Sequence, residues 1–233
     1  LNTAVAESFR QFADRLEKAE DTDAEIACLI KEAFTAHKRI VFDGNGYSEE
    51  WEKEAKRRGL LNLRNSVDAY RTFMAEKNVR LFSSLGVMSE TEMRSREEIY
   101  FENYAKIINI EALTMLVMAN REYIPAAQAY IAFVSDAALK RRELLGEDPC
   151  TVEKTIVRRL SALIAKAYHA AEQLREEETA AASVAEPEAR AEYYCNRVLP
   201  LMGELRSAVD GMEVLVASER WPVPTYGDMM FRV

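Results

Sequence analysis

Between Ser89 and Pro125 the sequence carries neither glycine nor proline, and the run opens on Ser89-Glu90-Thr91-Glu92. Serine followed three residues later by glutamate is a capping box, in which the hydroxyl accepts from the Glu92 N–H and the carboxylate accepts from the Ser89 N–H. The run therefore predicts a long helix with a defined start. From Tyr104 to Ala119 it is apolar almost all round, the pattern of a helix enclosed by other helices. Glycine supports the same class: 8 in 233 residues is about half the usual share of about 7%. The fold class expected is all-α, a multi-helix bundle of about seven helices with one short extended segment and an irregular C-terminal tail. We read residues 1–233 as a single helical domain.

The remaining boundaries follow from caps and breakers. Asn2 or Thr3 is placed to cap a helix whose apolar stripe, Val5, Phe9, Phe12 and Leu16, needs a partner. Asp21-Thr22-Asp23 restarts a helix bearing Ile26, Leu29, Ile30 and Phe34, ending near His37-Lys38. Residues 38–48 read as a turn or loop segment, in which Arg39 to Phe42 is the only credible strand and Asp43-Gly44-Asn45-Gly46 a tight turn. Ser48 caps a short helix that stops at Gly59, and Asn65 or Ser66 opens one running through Phe73 and Phe82 to Gly86. Pro125 and Pro200 sit inside continuing helical sequence and predict bends. Asp148-Pro149 opens a helix with Val152, Ile156, Leu160, Leu163, Ile164, Ala167 and Leu174 on one stripe. Residues 176–186 read as a frayed end and linker, after which Glu186-Pro187 starts the last long helix. The apolar segment 219–233 contains Pro222 and Pro224 and reads as a docked tail.

Composition narrows the function classes. A net charge of −8 disfavours non-specific nucleic acid and anionic membrane as partners. Lys56-Arg57-Arg58 and Lys140-Arg141-Arg142 lie beside Glu54, Glu143 and Glu147, so they read as solvated helix faces rather than a phosphate track. No run reaches the roughly 18 apolar residues of a membrane span. Three widely spaced cysteines, Cys28, Cys150 and Cys195, do not make a disulfide framework, and a cytoplasmic setting is expected. The first residue is Leu1, which suggests a piece of a longer chain.

Candidate chemistry is sparse. Neither His37 nor His169 has glutamate three residues before it, and no Cys-x-x-Cys occurs, so no metal site is assigned. Asp148 opposes activation of Cys150 at its helix start. The loop 43–48 lacks the spacing of a phosphate cradle, and Asp43, Glu49 and Glu50 would repel one. It reads as a structural turn, with Tyr47 and Trp51 leaving a partner-contact role open. Asn103, Asn109 and Glu111 interrupt the most apolar helix and form a candidate buried polar network. Glu111 is either a perturbed acid in a pocket or one half of a salt bridge, to Arg94, Arg96, Arg121 or another helix, that fixes register.

Several segments resemble the C-terminal part of type III glutamine synthetases. They are Leu1 to Phe9; Lys38-Arg-Ile-Val-Phe-Asp-Gly-Asn-Gly-Tyr-Ser-Glu-Glu-Trp51 continuing to Arg57-Arg-Gly-Leu-Leu-Asn-Leu-Arg64; Ser95-Arg-Glu97 with Glu102-Asn-Tyr104; Ile108 to Thr114; and Trp221-Pro-Val-Pro-Thr-Tyr-Gly-Asp228. The stretch 38–64 is the most specific. The resemblance implies a ligase of nitrogen metabolism that joins ammonia to glutamate with ATP and Mg or Mn, through a γ-glutamyl phosphate. It also implies that the catalytic sheet precedes the segment matching Leu1, so no catalytic, cofactor-binding or metal residue is carried over. On this view the chain is a non-catalytic structural and oligomerisation domain. Its partners would be the catalytic domain of the same chain and neighbouring subunits of a homo-oligomer. Tyr47, Trp51, Trp221 and Tyr226 are the candidate interface residues, because aromatic side chains on irregular backbone favour contacts. A standalone helical interaction module unrelated to the ligase is the alternative.

Overall fold

The computed structural model describes residues 1–146, 150–224 and 226–231, the side chain of Tyr226 excepted. They divide into two compact units, Leu1–Tyr100 and Phe101–Val233, where a single domain is expected from the sequence. No strand occurs among the described residues.

The first unit contains α1 (Asn2–Leu16), α2 (Thr22–His37), α3 (Glu49–Arg57), α4 (Ser66–Arg71), α5 (Glu76–Ser84) and the beginning of α6 (Glu90–Met118). Side-chain caps fix most of the starts: Asp21 accepts from the Ala24 N–H at 3.0 Å, and Asn65 from the Asp68 N–H at 2.8 Å. The capping box before α6 is formed on both sides. The Ser89 N–H donates to Glu92 Oε2 at 2.8 Å, and the Glu92 N–H to Ser89 Oγ at 3.3 Å. Gly59 and Gly86, at φ 70° and 64°, end α3 and α5 in the left-handed conformation. Behind each, the Schellman pair is complete, with Leu60 N–H on Ala55 O at 2.9 Å and Val87 N–H on Phe82 O at 2.9 Å.

Three expectations for this unit change. Asn2 and Thr3 lie inside α1, whose start has no side-chain cap. The helix read through to Gly86 breaks between α4 and α5, where Ala75 is extended and the Asn78 amide donates to Thr72 O at 2.8 Å. The strand read at 39–42 is instead a 3-10 turn, Lys38–Ile40, with Val41 extended after it. A lone extended segment has no neighbouring ladder to satisfy its carbonyls; here the Arg58 guanidinium does so, donating to Val41 O at 2.6 Å and Arg39 O at 3.2 Å.

In the second unit, α6 continues through a π turn (Ala119–Tyr123) into α7 (Ile124–Leu145). Then follow α8 (Thr151–Ala182), α9 (Pro187–Tyr193), a second π turn (Tyr194–Val198), α10 (Leu199–Glu213), a 3-10 turn (Ser218–Arg220) and α11 (Tyr226–Phe231). The bends expected at Pro125 and Pro200 take the same form. Proline lacks an N–H and crowds the carbonyl four residues back. In each case five residues ending two before the proline widen into the π turn, Ile124 N–H bonding to Ala119 O and Leu199 N–H to Tyr194 O.

Helix α8 packs along both α7 and α10. The contact surfaces are rich in alanine: Ala112, Ala119, Ala127, Ala167 and Ala171 are fully buried among Leu160, Leu174, Leu205 and Met212. The 176–186 linker read from sequence is corrected by α8, which runs to Ala182 with Ala181 fully buried; the alanines propagate the helix, and Tyr193 Oη donates to Glu177 at 2.6 Å. Only the residues after Ala182 connect, and Glu186 caps α9 by accepting from Ala189 N–H at 2.6 Å. The Asp148-Pro149 cap lies outside the described residues. Between α7 and α8, Cys150 Sγ donates to Ala138 O at 3.2 Å and Glu153 pairs with Arg141.

Because Leu160 has no exposed surface, Leu160→Ala is expected to cost about 2–5 kcal/mol in a urea titration. Leu144→Ala, at an 82% exposed position, is expected to stay within about 0.5 kcal/mol.

Candidate functional site

The segment 38–58 folds on itself around Trp51. The Phe42 ring stacks on Trp51 with centroids 4.3 Å apart, and Arg58 lies 5.7 Å over the same indole. Gly44 lies beneath the Phe42 ring, and a Cβ there would come within 2.7 Å of it and force the ring to shift. The turn closes through Asn45, whose Oδ1 accepts the Tyr47 N–H at 3.0 Å and whose carbonyl accepts the Ser48 hydroxyl at 2.9 Å. Ser48 Oγ then accepts the Trp51 N–H at 3.3 Å and starts α3. Trp51 is half-buried by these contacts, whereas Tyr47 stands fully exposed at the tip. Of the two loop residues singled out from sequence, only Tyr47 presents an open aromatic face.

Arg58 is the residue the sequence reading missed. Its Nε donates to Glu54 at 2.5 Å while its Nη1 takes the carbonyls of Arg39 and Val41, so one guanidinium ties α3 to the preceding turn. Glu54 is also held by Arg57 at 2.6 Å and 2.7 Å. The bonds from Arg57 and then Arg58 bring its carboxyl down to about 2. The spacing from Glu54 to Arg57 and Arg58, three and four residues on, is the signal that carried this pairing.

Trp221 is not surface. It is 6% exposed and stacks on Tyr123 at 5.2 Å, while Arg220 covers Phe133 at 4.1 Å. The tail therefore docks on the core of its own unit through Trp221 and Val223, whereas Met229, Met230 and Phe231 are exposed. Tyr226, whose side chain lies outside the described residues, follows at the start of α11.

The buried polar network read from Asn103, Asn109 and Glu111 does not form. Asn103 and Glu111 are exposed and Asn109 is half-buried, its Oδ1 without a hydrogen-bond partner. Asn109, six residues from Asn103 and two from Glu111, lies on a different face of α6 from both, while Asn103 and Glu111, eight apart, are on the solvent side. The helix is also less enclosed than its composition implies, with Ile107, Ile110, Leu113 and Val117 between 44% and 56% exposed. Glu111 stands on the rim of an apolar groove of about 730 Å³ between α6 and α10, lined by Ile110, Met115, Met118, Leu199 and Met202. Among the described residues no group of three or more His, Cys, Asp or Glu is placed to hold a metal ion. No described helix is long and apolar enough to cross a membrane.

The larger feature is the state of the first unit's apolar surface. Among its residues only Leu29, Ala55, Val67 and Met93 are buried hydrophobics. On α1, Val5, Phe9 and Phe12 are 44%, 67% and 39% exposed, and on α2 Ile26, Ile30 and Phe34 are 40%, 55% and 68% exposed. The stripe that needs a partner on sequence grounds thus lacks one within this unit.

The family model of the glutamine synthetase C-terminal domain matches residues 25–142, which include the whole 38–58 segment. The chain belongs to this glutamine synthetase family. It is 36% identical to a glutamine synthetase of Butyrivibrio fibrisolvens over 87% of this chain and 29% of the relative. To a type-3 glutamine synthetase of Dictyostelium discoideum it is 29% identical, over 99% of this chain and 32% of the relative. A glutamine synthetase of Bacteroides fragilis (strain YCH46) is 27% identical, over 99% of this chain and 33% of its own length. The chain thus spans about a third of the length of these glutamine synthetases. The most specific stretch of the resemblance, 38–64, is the one that Arg58 and Trp51 organise.

Two outcomes follow for this region. Glu54 has its folded value below the ordinary carboxylate value of about 4.3, so its contribution is present above that pH and is lost as pH falls towards about 2. In a Trp221→Phe background, Trp51 emission is expected to shift to the red across that window, and Glu54→Gln should abolish the step. Separately, Trp221→Ala is expected to cost about 3–5 kcal/mol and to open the residues after Ser218 to limited proteolysis.

Proposed function

We propose that this chain is the helical C-terminal part of a type III glutamine synthetase and acts there as a docking and assembly element rather than as the seat of the chemistry. The parent joins ammonia to glutamate, consuming ATP, and makes glutamine. We assign ATP and its Mg or Mn to the remainder of the parent, as the resemblance to type III glutamine synthetases implies.

The observation that carries the docking role is the uncovered stripe of α1 and α2. Six large apolar side chains, Val5, Phe9, Phe12, Ile26, Ile30 and Phe34, stand between 39% and 68% exposed. Each fully buried side chain of this kind is worth about 1.5–3 kcal/mol, so covering the stripe supplies enough driving force to hold a domain contact. The remaining two-thirds of the relatives' length is the natural source of the covering surface, with Tyr47 at the loop tip available to a neighbouring subunit. The parent works in this reading as a cytoplasmic homo-oligomer.

The test is sedimentation velocity and glutamine formation on the full-length parent carrying Phe9→Asp and Phe34→Asp. A smaller assembly with reduced activity is expected. Unchanged size and activity would remove the docking role. The 233-residue chain alone is expected to form no glutamine from glutamate, ammonia and Mg-ATP.

A further inference from the structure

The fold gathers four cations that lie apart in sequence. Lys38 and Arg39 follow the end of α2, and Arg57 and Arg58 end α3. With Phe34, Thr35 and Val41 they line one open cleft of about 800 Å³ in the first unit. The hydrogen bonds from Arg58 to the carbonyls of Arg39 and Val41 hold the two walls together. Read separately along the chain, each basic pair is a solvated helix end; placed together they are a different object.

The charge balance shows why. Two helix C-termini contribute about half a negative charge each. Glu54 supplies one more and is already bound by Arg57 and Arg58. About two of the four positive charges stay unbalanced by this reckoning, in a chain whose net charge is −8. No salt bridge to Lys38 or Arg39 occurs among the described residues. Gathering like charges raises the energy of the folded unit unless an anion joins them. Guanidinium and ammonium groups on facing walls suit phosphate oxygens, and the 68% exposed Phe34 offers an apolar wall beside them.

We propose that this cleft binds a small molecule carrying two linked phosphate groups, with Lys38 and Arg39 on one side and Arg57 and Arg58 on the other. Arg58 acts mainly by positioning the 38–41 turn, and the free donors come from Lys38, Arg39 and the outer face of Arg57. Phe34 contacts the organic body where the ligand has one. Phe34 also belongs to the stripe offered for docking, whereas the four cations do not, so the site is tested on the 233-residue chain, where Phe34 is open.

Calorimetric titration of the 233-residue chain with inorganic pyrophosphate tests it, with circular dichroism confirming helicity. Saturable binding that weakens as salt rises is expected, and the double variant Lys38→Ala/Arg39→Ala should weaken it by about tenfold or more without lowering the unfolding midpoint. Adenosine should not bind. ADP binding as tightly as pyrophosphate or more tightly, with Phe34→Ala weakening ADP alone, supports an organic diphosphate; pyrophosphate binding without ADP supports a free inorganic ion. The proposal is overturned by no saturation with pyrophosphate on the helical chain, by an unchanged affinity in the double variant, or by saturation with an acidic peptide in place of pyrophosphate.

Discussion

The second unit depends on how closely α8 approaches its two neighbours. Alanine at 167, 170, 171 and 181 on α8, at 119 and 127 on the π turn and α7, and at 208 on α10 removes side-chain bulk from the core. Gly211 on α10 carries this further, since a Cβ there would sit 3.0 Å from Leu163. Larger side chains, Leu160, Leu174, Leu205 and Met212, then fill the spaces between the alanine contacts with no exposed surface left. Such packing tolerates little change in helix separation. The two π turns become intelligible on this footing: each lets a proline enter a helix without separating it from α8, which packs against both turns.

The first unit is built on the opposite principle. Its ends are well defined, by Asp21, Ser48, Asn65, Ser89, Gly59 and Gly86, yet its interior is thin. Caps and turns are local: they satisfy backbone groups within a few residues and need no core. Local hydrogen bonds are worth about 1 kcal/mol each, which is too little to replace apolar burial. The Phe42, Trp51 and Arg58 cluster makes the 38–58 segment rigid on its own small scale, while Phe9, Phe12 and Phe34 are left with water on one side. A unit made this way holds its shape best against another surface.

This contrast also explains what was legible in the sequence. Helix starts and ends were readable because the deciding partner lies three or four residues away, as for Ser89 with Glu92 or Phe82 with Val87. The prolines were readable for the same reason, although the sequence gives no hint that the strain would spread backwards into a π turn. What failed required knowledge of distant neighbours. Arg39 to Phe42 has the composition of a strand, but a strand needs a second strand, and a guanidinium took its carbonyls instead. The apolar girth of α6 implied enclosure, and Trp221 on an irregular tail implied a contact with another domain or subunit; in both, packing that periodicity does not encode decided the surroundings.

The burial of Trp221 and the openness of α1 bear on one another. An apolar group is neutral as to whether its cover comes from the same unit or from elsewhere, since burial is non-directional. What differs is geometry. Trp221 follows a 3-10 turn that returns the chain to Tyr123, so its own bundle reaches it first. On α1, the residues of intermediate burial include Thr3, Glu7, Arg15 and Leu16, and Arg15 spans to Glu25 and Glu32 on α2, so ion pairs hold the hairpin by its polar side. Val5, Phe9 and Phe12 meanwhile keep 44%, 67% and 39% of their surface exposed. In the docking role proposed above, a hairpin already joined by ion pairs would be ordered before any apolar cover reached it, and that lowers the entropy cost of docking.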